Sequence, residues 1–114
     1  MRDFKERVVD GKRWLRVCSS DQVAERSGYR VEIDFEHDLA LFRVDGKVHC
    51  ISNVCPHKRE PYIFDGFVEN GTVTCPLHGW RFDIKTGKNT GPASDIGCYE
   101  SLEEGNDVWV AIRD

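Results

Sequence analysis

Two dipeptides, Asp45-Gly46 and Asn70-Gly71, constrain this chain most. Each sits between short apolar stretches, and a two-residue loop of this type demands positive φ, which Gly tolerates and most residues resist. The first joins Leu39-Ala40-Leu41-Phe42-Arg43-Val44 to Lys47-Val48-His49-Cys50-Ile51, and the second joins Phe67-Val68-Glu69 to Thr72-Val73-Thr74. Both predict β-hairpins. Residues 13–18 and 81–84 read as further strands, and residues 29–35 alternate apolar and polar with the period of a half-buried strand. Residues 99–102 and 108–112 predict a closing pair across Gly105-Asn106-Asp107. Ser19-Ser20-Asp21 is placed to cap one helical turn through Val23, Ala24 and Glu25, while charged residues 2–12 read as a loosely held lead-in. Many short strands between turns predict an all-β fold, an antiparallel sandwich or barrel.

With 114 residues the chain has room for one domain, and its net charge of -4 argues against binding nucleic acid or anionic lipid by bulk charge. No apolar run is long enough for a membrane span, and the charged N-terminus lacks a secretory pattern, so a soluble cytoplasmic protein is expected. Five cysteines cannot all pair, and in a reducing compartment thiols serve metals or the core.

Two segments, residues 53–59 and 75–81, fit no strand. Cys55-Pro56-His57 in the first returns in altered form as Cys75-Pro76-Leu77-His78 in the second, with seventeen residues between His57 and Cys75. Each offers a thiolate and an imidazole, and a Pro after each Cys stiffens the loop. The Asn70-Gly71 hairpin folds the two segments toward each other, assembling four metal ligands. Two Cys and two His also suit a closed zinc site in a protein-binding module, although zinc fingers usually pair like with like.

This pattern resembles the Rieske iron–sulfur family, whose ligand spacing is C-x-H, sixteen or seventeen residues, then C-x-x-H. The likeness continues through Gly79-Trp80-Arg81-Phe82-Asp83, through Lys85-Thr86-Gly87, and into Gly91-Pro92-Ala93, where the family has a proline-bearing loop over the cluster. It implies a single Rieske domain over 1–114, with a cluster-binding subdomain at about 53–83 formed by two loops on a hairpin, and a proline loop at about 90–94. It also implies one [2Fe-2S] cluster, with Cys55 and Cys75 on one iron and His57 and His78 on the other. Replacing two thiolates by neutral imidazoles removes negative charge, which raises the reduction potential over that of an all-Cys cluster.

Departures from the family pattern narrow the type. Respiratory members join an extra Cys in each loop as a disulfide; here those places hold Glu60, or a near neighbour, and Leu77. Their Ser and Tyr hydroxyls after the second His are replaced by Trp80 and Phe82, which moves the expected potential toward the low end of the family range. The resemblance therefore implies a ferredoxin-type carrier rather than an enzyme. It would be a monomer taking electrons from a flavin-dependent NAD(P)H reductase and passing them to a terminal, aromatic-ring-hydroxylating oxygenase by transient docking at the cluster tip. The small subunit of a nitrite-reductase-type enzyme is the alternative.

The other singled-out residues have plainer roles. Cys18, Cys50 and Cys98 are expected to be buried, His37 to be a solvated turn residue, and His49 half-exposed on a strand. Trp14 and Trp109 should pack, Trp80 pack or shield the cluster, and Lys58-Arg59 be either a solvated pair or a steering patch at the tip.

Overall fold

The computed structural model describes residues 4–56, 59–77, 79–91 and 93–112. Its strands are β1 (Glu6–Val9), β2 (Lys12–Ser19), β3 (Gly28–Glu32), β4 (Asp38–Val44), β5 (Lys47–Ser52), β6 (Phe67–Glu69), β7 (Thr72–Thr74), β8 (Arg81–Asp83), β9 (Cys98–Tyr99), β10 (Ser101–Glu104) and β11 (Asp107–Ile112). They form three antiparallel sheets, ordered β1-β2-β11-β10, β3-β4-β5-β9 and β6-β7-β8. The all-β expectation holds. Among the described residues no helix is long and apolar enough to cross a membrane.

The second sheet is a shared wall, and β4 shows why. Side chains alternate across a strand, and Leu39, Ala40, Leu41 and Phe42 are all fully buried. Leu39 and Leu41 join Leu15, Val31, Val48, Val108 and Val110 in one core. Ala40 and Phe42 face a second core with Ile51, Ile63, Val73, Phe82 and Ile84. An unbroken apolar run is what a strand buried on both faces requires.

Both predicted hairpins form. Asp45 and Gly46 lie at φ 53° and 81°, Asn70 and Gly71 at 52° and 75°, positive at both central positions as a type I′ turn demands. Three expectations change. The supposed lead-in contains β1, an edge strand paired with β2, and its Val8 and Val9 are exposed, so neither shows a buried face. The helical turn shrinks to a 3-10 turn over Ser20–Gln22, with the Gln22 side chain accepting the Ser19 N–H at 2.9 Å. Strand β3 stops at Glu32 because the Asp34 carboxylate takes up the Glu36 and His37 N–H groups, each at 2.9 Å, turning the chain and leaving Phe35 exposed.

One charged side chain clamps this frame. The Arg43 guanidinium donates to the Val23 carbonyl at 2.7 Å, the Ser20 carbonyl at 2.9 Å, the Gly46 carbonyl at 2.9 Å, and both Glu103 oxygens at 3.1 and 2.9 Å. Hydrogen bonding from Arg43 holds the Glu103 carboxyl below the usual range.

Candidate metal centre

Strand β5 delivers the first loop and the β7–β8 pair frames the second. Cys55 and Cys75 are buried to 0% and 1% exposure, and both belong to the second core. None of the five cysteines is in a disulfide.

The two loops are built alike. The Cys55 N–H donates to the Glu60 carbonyl at 3.1 Å, and the Arg59 N–H donates back to the Cys55 carbonyl at 2.7 Å. Twenty residues on, the Cys75 N–H donates to the Trp80 carbonyl at 2.7 Å, and the Gly79 N–H to the Cys75 carbonyl at 3.0 Å. The fourth residue after each Cys has positive φ, 56° at Arg59 and 72° at Gly79. Two loops of different sequence thus close the same ring of backbone hydrogen bonds, each presenting its thiol from the same place in the turn.

Asn53 ties the first loop down. It is fully buried, and its Nδ2 donates to Asp38 Oδ1 at 2.9 Å and the Pro61 carbonyl at 2.8 Å, while its Oδ1 accepts the Phe64 N–H at 2.7 Å. Asp38 is itself held by two bonds from Arg30, at 3.1 and 2.7 Å. A buried amide with its partners in place carries little desolvation penalty and fixes two backbone segments at once. Sequence reasoning missed this residue. Its only sign was a polar side chain where a strand runs into the first Cys loop.

Strand β8 anchors the loop that follows it, residues 88–95. The Thr90 N–H donates to the Arg81 carbonyl at 2.9 Å, and the Asp83 N–H to the Lys88 carbonyl at 2.8 Å. Asn89 Oδ1 accepts the Gly91 N–H at 2.7 Å, and Asp95 Oδ1 accepts the Asn89 N–H at 2.8 Å, so the segment closes on itself. An open cavity of about 530 Å³ lies between this loop and the second Cys loop, lined by Gly79, Trp80, Arg81, Asn89, Thr90, Gly91 and Ala93.

The sequence candidates divide. Cys55 and Cys75 come together in one core, while His57, Lys58, His78 and Pro92 lie outside the described residues. Phe82 is buried and Trp80 packs against the second core, so both have packing roles. Trp109 is buried under the Arg7 guanidinium, 4.1 Å from its ring centre, and Trp14 is half-buried. Cys18 and Cys50 are core residues as expected. Burial pushes the Cys18 thiol up to about 11 and Cys50 well above the ordinary range, which makes both poor nucleophiles. Cys98 departs from expectation: it is exposed, its Sγ 3.3 Å from the Lys85 carbonyl, because β9 is a two-residue edge strand. His37 departs too. Its side chain is 14% exposed, its Nδ1 lies 2.8 Å from Asp34 Oδ1, and its ring meets Tyr99 edge-on at 6.4 Å. His49 is half-buried on β5 as expected, and burial lowers its pKa.

The donor chemistry suits a thiolate-bound centre. Soft sulfur ligands are offered from an apolar interior on two stiff, hydrogen-bonded loops. Likeness to known proteins identifies that centre. The model of the Rieske [2Fe-2S] domain matches residues 13–100. The chain is 35% identical over 111 residues to the ferredoxin component of the p-cumate 2,3-dioxygenase system of Pseudomonas putida, covering 92% of this chain and 91% of that one. It is 37% identical over 76 residues to the 4beta-methylsterol monooxygenase of Methylococcus capsulatus, but spans only 20% of that protein's length. Among solved structures it matches a chain in the complex of reduced oxygenase and oxidized ferredoxin of carbazole 1,9a-dioxygenase, with TM-score 0.78, 25% identity, and coverage of 86% and 92%. The chain belongs to the Rieske [2Fe-2S] domain family, and its cofactor is a [2Fe-2S] cluster rather than zinc.

Proposed function

We propose that this chain is a one-electron carrier of a multicomponent oxygenase system, taking electrons from a flavin-dependent NAD(P)H reductase and handing them to a terminal, aromatic-ring-hydroxylating oxygenase. The observation that carries this is the matched pair of thiol loops, Cys55 and Cys75, closed by equivalent hydrogen bonds. Cys55 and Cys75 would hold one iron and His57 and His78 the other. When bound, the [2Fe-2S] group supplies a one-electron couple whose potential is raised by the two neutral ligands.

The chain's own residues set the conditions. Ile51, Ile63, Phe82 and Ile84 pack around the two thiols and keep water from the sulfur side. Backbone hydrogen bonds fix both loops in advance, so little has to move when an electron arrives or leaves. Phe82 offers no hydroxyl, which places the potential toward the low end of the family range. Likeness to an oxygenase-system ferredoxin over nine-tenths of its length favours a separate carrier over a catalytic subunit. A cytoplasmic monomer that docks transiently fits this role.

The test is iron and acid-labile sulfide analysis with EPR of the dithionite-reduced protein. Two irons, two sulfides and a rhombic signal are expected, with loss of all three in Cys55→Ser or Cys75→Ser. A colourless protein without sulfide would refute the proposal. Turnover of an oxygenase mixed with reductase and this chain, against co-purification of this chain with one large partner, separates the free carrier from a fixed subunit.

A further inference from the structure

The chain carries net charge -4, yet its two Cys loops have the opposite sign. Within residues 53–60 and 75–81 stand three cations, Lys58, Arg59 and Arg81, against one carboxylate, Glu60. That is a local balance of +2, so the remaining residues sum to -6. Lys58 lies outside the described residues; Arg59 and Arg81 lie within them.

Six of the eleven described cations outside these loops are neutralised. Arg7, Lys12, Arg13, Arg16, Arg30 and Arg43 each meet a carboxylate, in Glu104, Glu100, Glu6, Asp107, Asp38 and Glu103. Arg59 and Arg81 are exposed and have no carboxylate partner among the described residues; Arg81 Nε reaches only Thr74 Oγ1, at 3.4 Å. Their fields therefore extend into solvent instead of being cancelled at the surface.

Backbone conformation adds an independent observation. Arg59 occupies positive φ at the position where the sister loop has Gly79. The left-handed region crowds a Cβ against the backbone, a strain that Gly avoids. The first loop bears that strain and holds a cation on its surface, as the chain also does at Arg26, at φ 61° outside the loops. Within four residues of these arginines in sequence, Leu77 is 49% exposed and Tyr62 43%. Apolar ground with cations near it suits a contact that is steered by charge and closed by desolvation.

We infer that the loop face through which this chain gives up its electron is cationic, against the sign of the whole molecule, and that it docks an acidic face of its redox partner. This rests on the electron-carrier proposal above. An approaching acidic surface is repelled by the body and attracted by the tip, so the charge asymmetry orients the encounter with the loops forward.

Small redox ions test the local sign without any partner. The dithionite-reduced protein is mixed in a stopped-flow instrument with hexacyanoferrate(III) or with hexaammineruthenium(III); each ion accepts one electron and the protein returns to its oxidised form. With a cationic exit, raising ionic strength from about 10 to about 150 mM slows the anionic oxidant about threefold or more and leaves the cationic one unchanged or faster. In R59E/R81E both salt dependences reverse. In Arg59→Asn with Arg81→Gln, which removes charge while keeping a residue tolerant of positive φ, they weaken. Hexacyanochromate(III), a redox-inert paramagnetic anion, should broaden NMR signals at residues 59–62 and 79–81 of the oxidised protein ahead of the body. Salt dependences that follow the net charge of -4, or broadening spread evenly over the surface, would overturn the inference. A protein that takes up no electron from dithionite would overturn the carrier proposal itself, and this inference with it.

Discussion

Removing the Asn53 side chain should cost this protein more stability than any single deletion of an exposed hydrogen bond. Asn53→Ala breaks three bonds, at 2.9, 2.8 and 2.7 Å, and leaves the Phe64 N–H and the Pro61 carbonyl without their side-chain partner. At about 1–1.5 kcal/mol for each bond the loss is about 3–4.5 kcal/mol. That is a large share of the roughly 5–15 kcal/mol that holds a domain together. For a chain of this size it corresponds to a fall in Tm of about 12–18 °C. Circular dichroism on heating gives the midpoint, and the rate at which visible absorbance fades in urea reports the first loop separately. Ser52→Ala is the control, since among the described residues Ser52 Oγ accepts only the Val54 N–H at 3.2 Å, and it should cost less than about 1 kcal/mol. If Asn53→Ala shifts stability no more than Ser52→Ala, the amide does not anchor the loop and the reasoning fails.

Other expectations follow from the same geometry. Gly28→Ala would place a Cβ 2.0 Å from the Phe64 carbonyl oxygen and 2.7 Å from its carbon; both are backbone atoms, so a loss above about 2 kcal/mol is expected in urea unfolding. Arg59→Gly should be neutral or stabilising by up to about 1 kcal/mol, whereas Gly79→Ala should lose about 1 kcal/mol; equal effects in chemical denaturation would contradict the left-handed geometry at either site. The Glu103 carboxyl, held below its ordinary range by Arg43, adds stability above the unfolded carboxylate range. That contribution is lost as pH falls through the lowered value, so between about pH 5 and about pH 3 the urea midpoint should drop less steeply in Glu103→Gln.

Much of the fold was legible because the informative residues act locally. Asp45-Gly46 and Asn70-Gly71 need little beyond their own backbone preferences to make a hairpin, and both appear where expected. The Cys-Pro loops were legible because ligand spacing is a chemical requirement, independent of packing. What escaped notice depends on partners distant in sequence. Strand β1 has no apolar alternation because an edge strand with Val8 and Val9 exposed needs none; it is recruited by backbone pairing to β2. Residues 33–35 continue an alternating pattern, but the Asp34 carboxylate captures the next amides and ends the strand. Asn53 matters only because Asp38, Pro61 and Phe64 converge on it. The likeness of the two loops was half visible, as repeated Cys-Pro. The other half, Arg59 in the role of Gly79, is a matter of φ and not of residue type.

The shared wall formed by the second sheet has a consequence for how the molecule comes apart. Leu39 and Leu41 belong to one core while Ala40 and Phe42, their immediate neighbours, belong to the other. Neither lobe can melt without uncovering a side of β4, so opening the metal-bearing end bares Ala40 and Phe42 on the back of the strand that floors the remote end. Occupancy of the loops should therefore be felt as slower amide exchange in strands that never approach them, making the far sheet a reporter of whether the iron is in place.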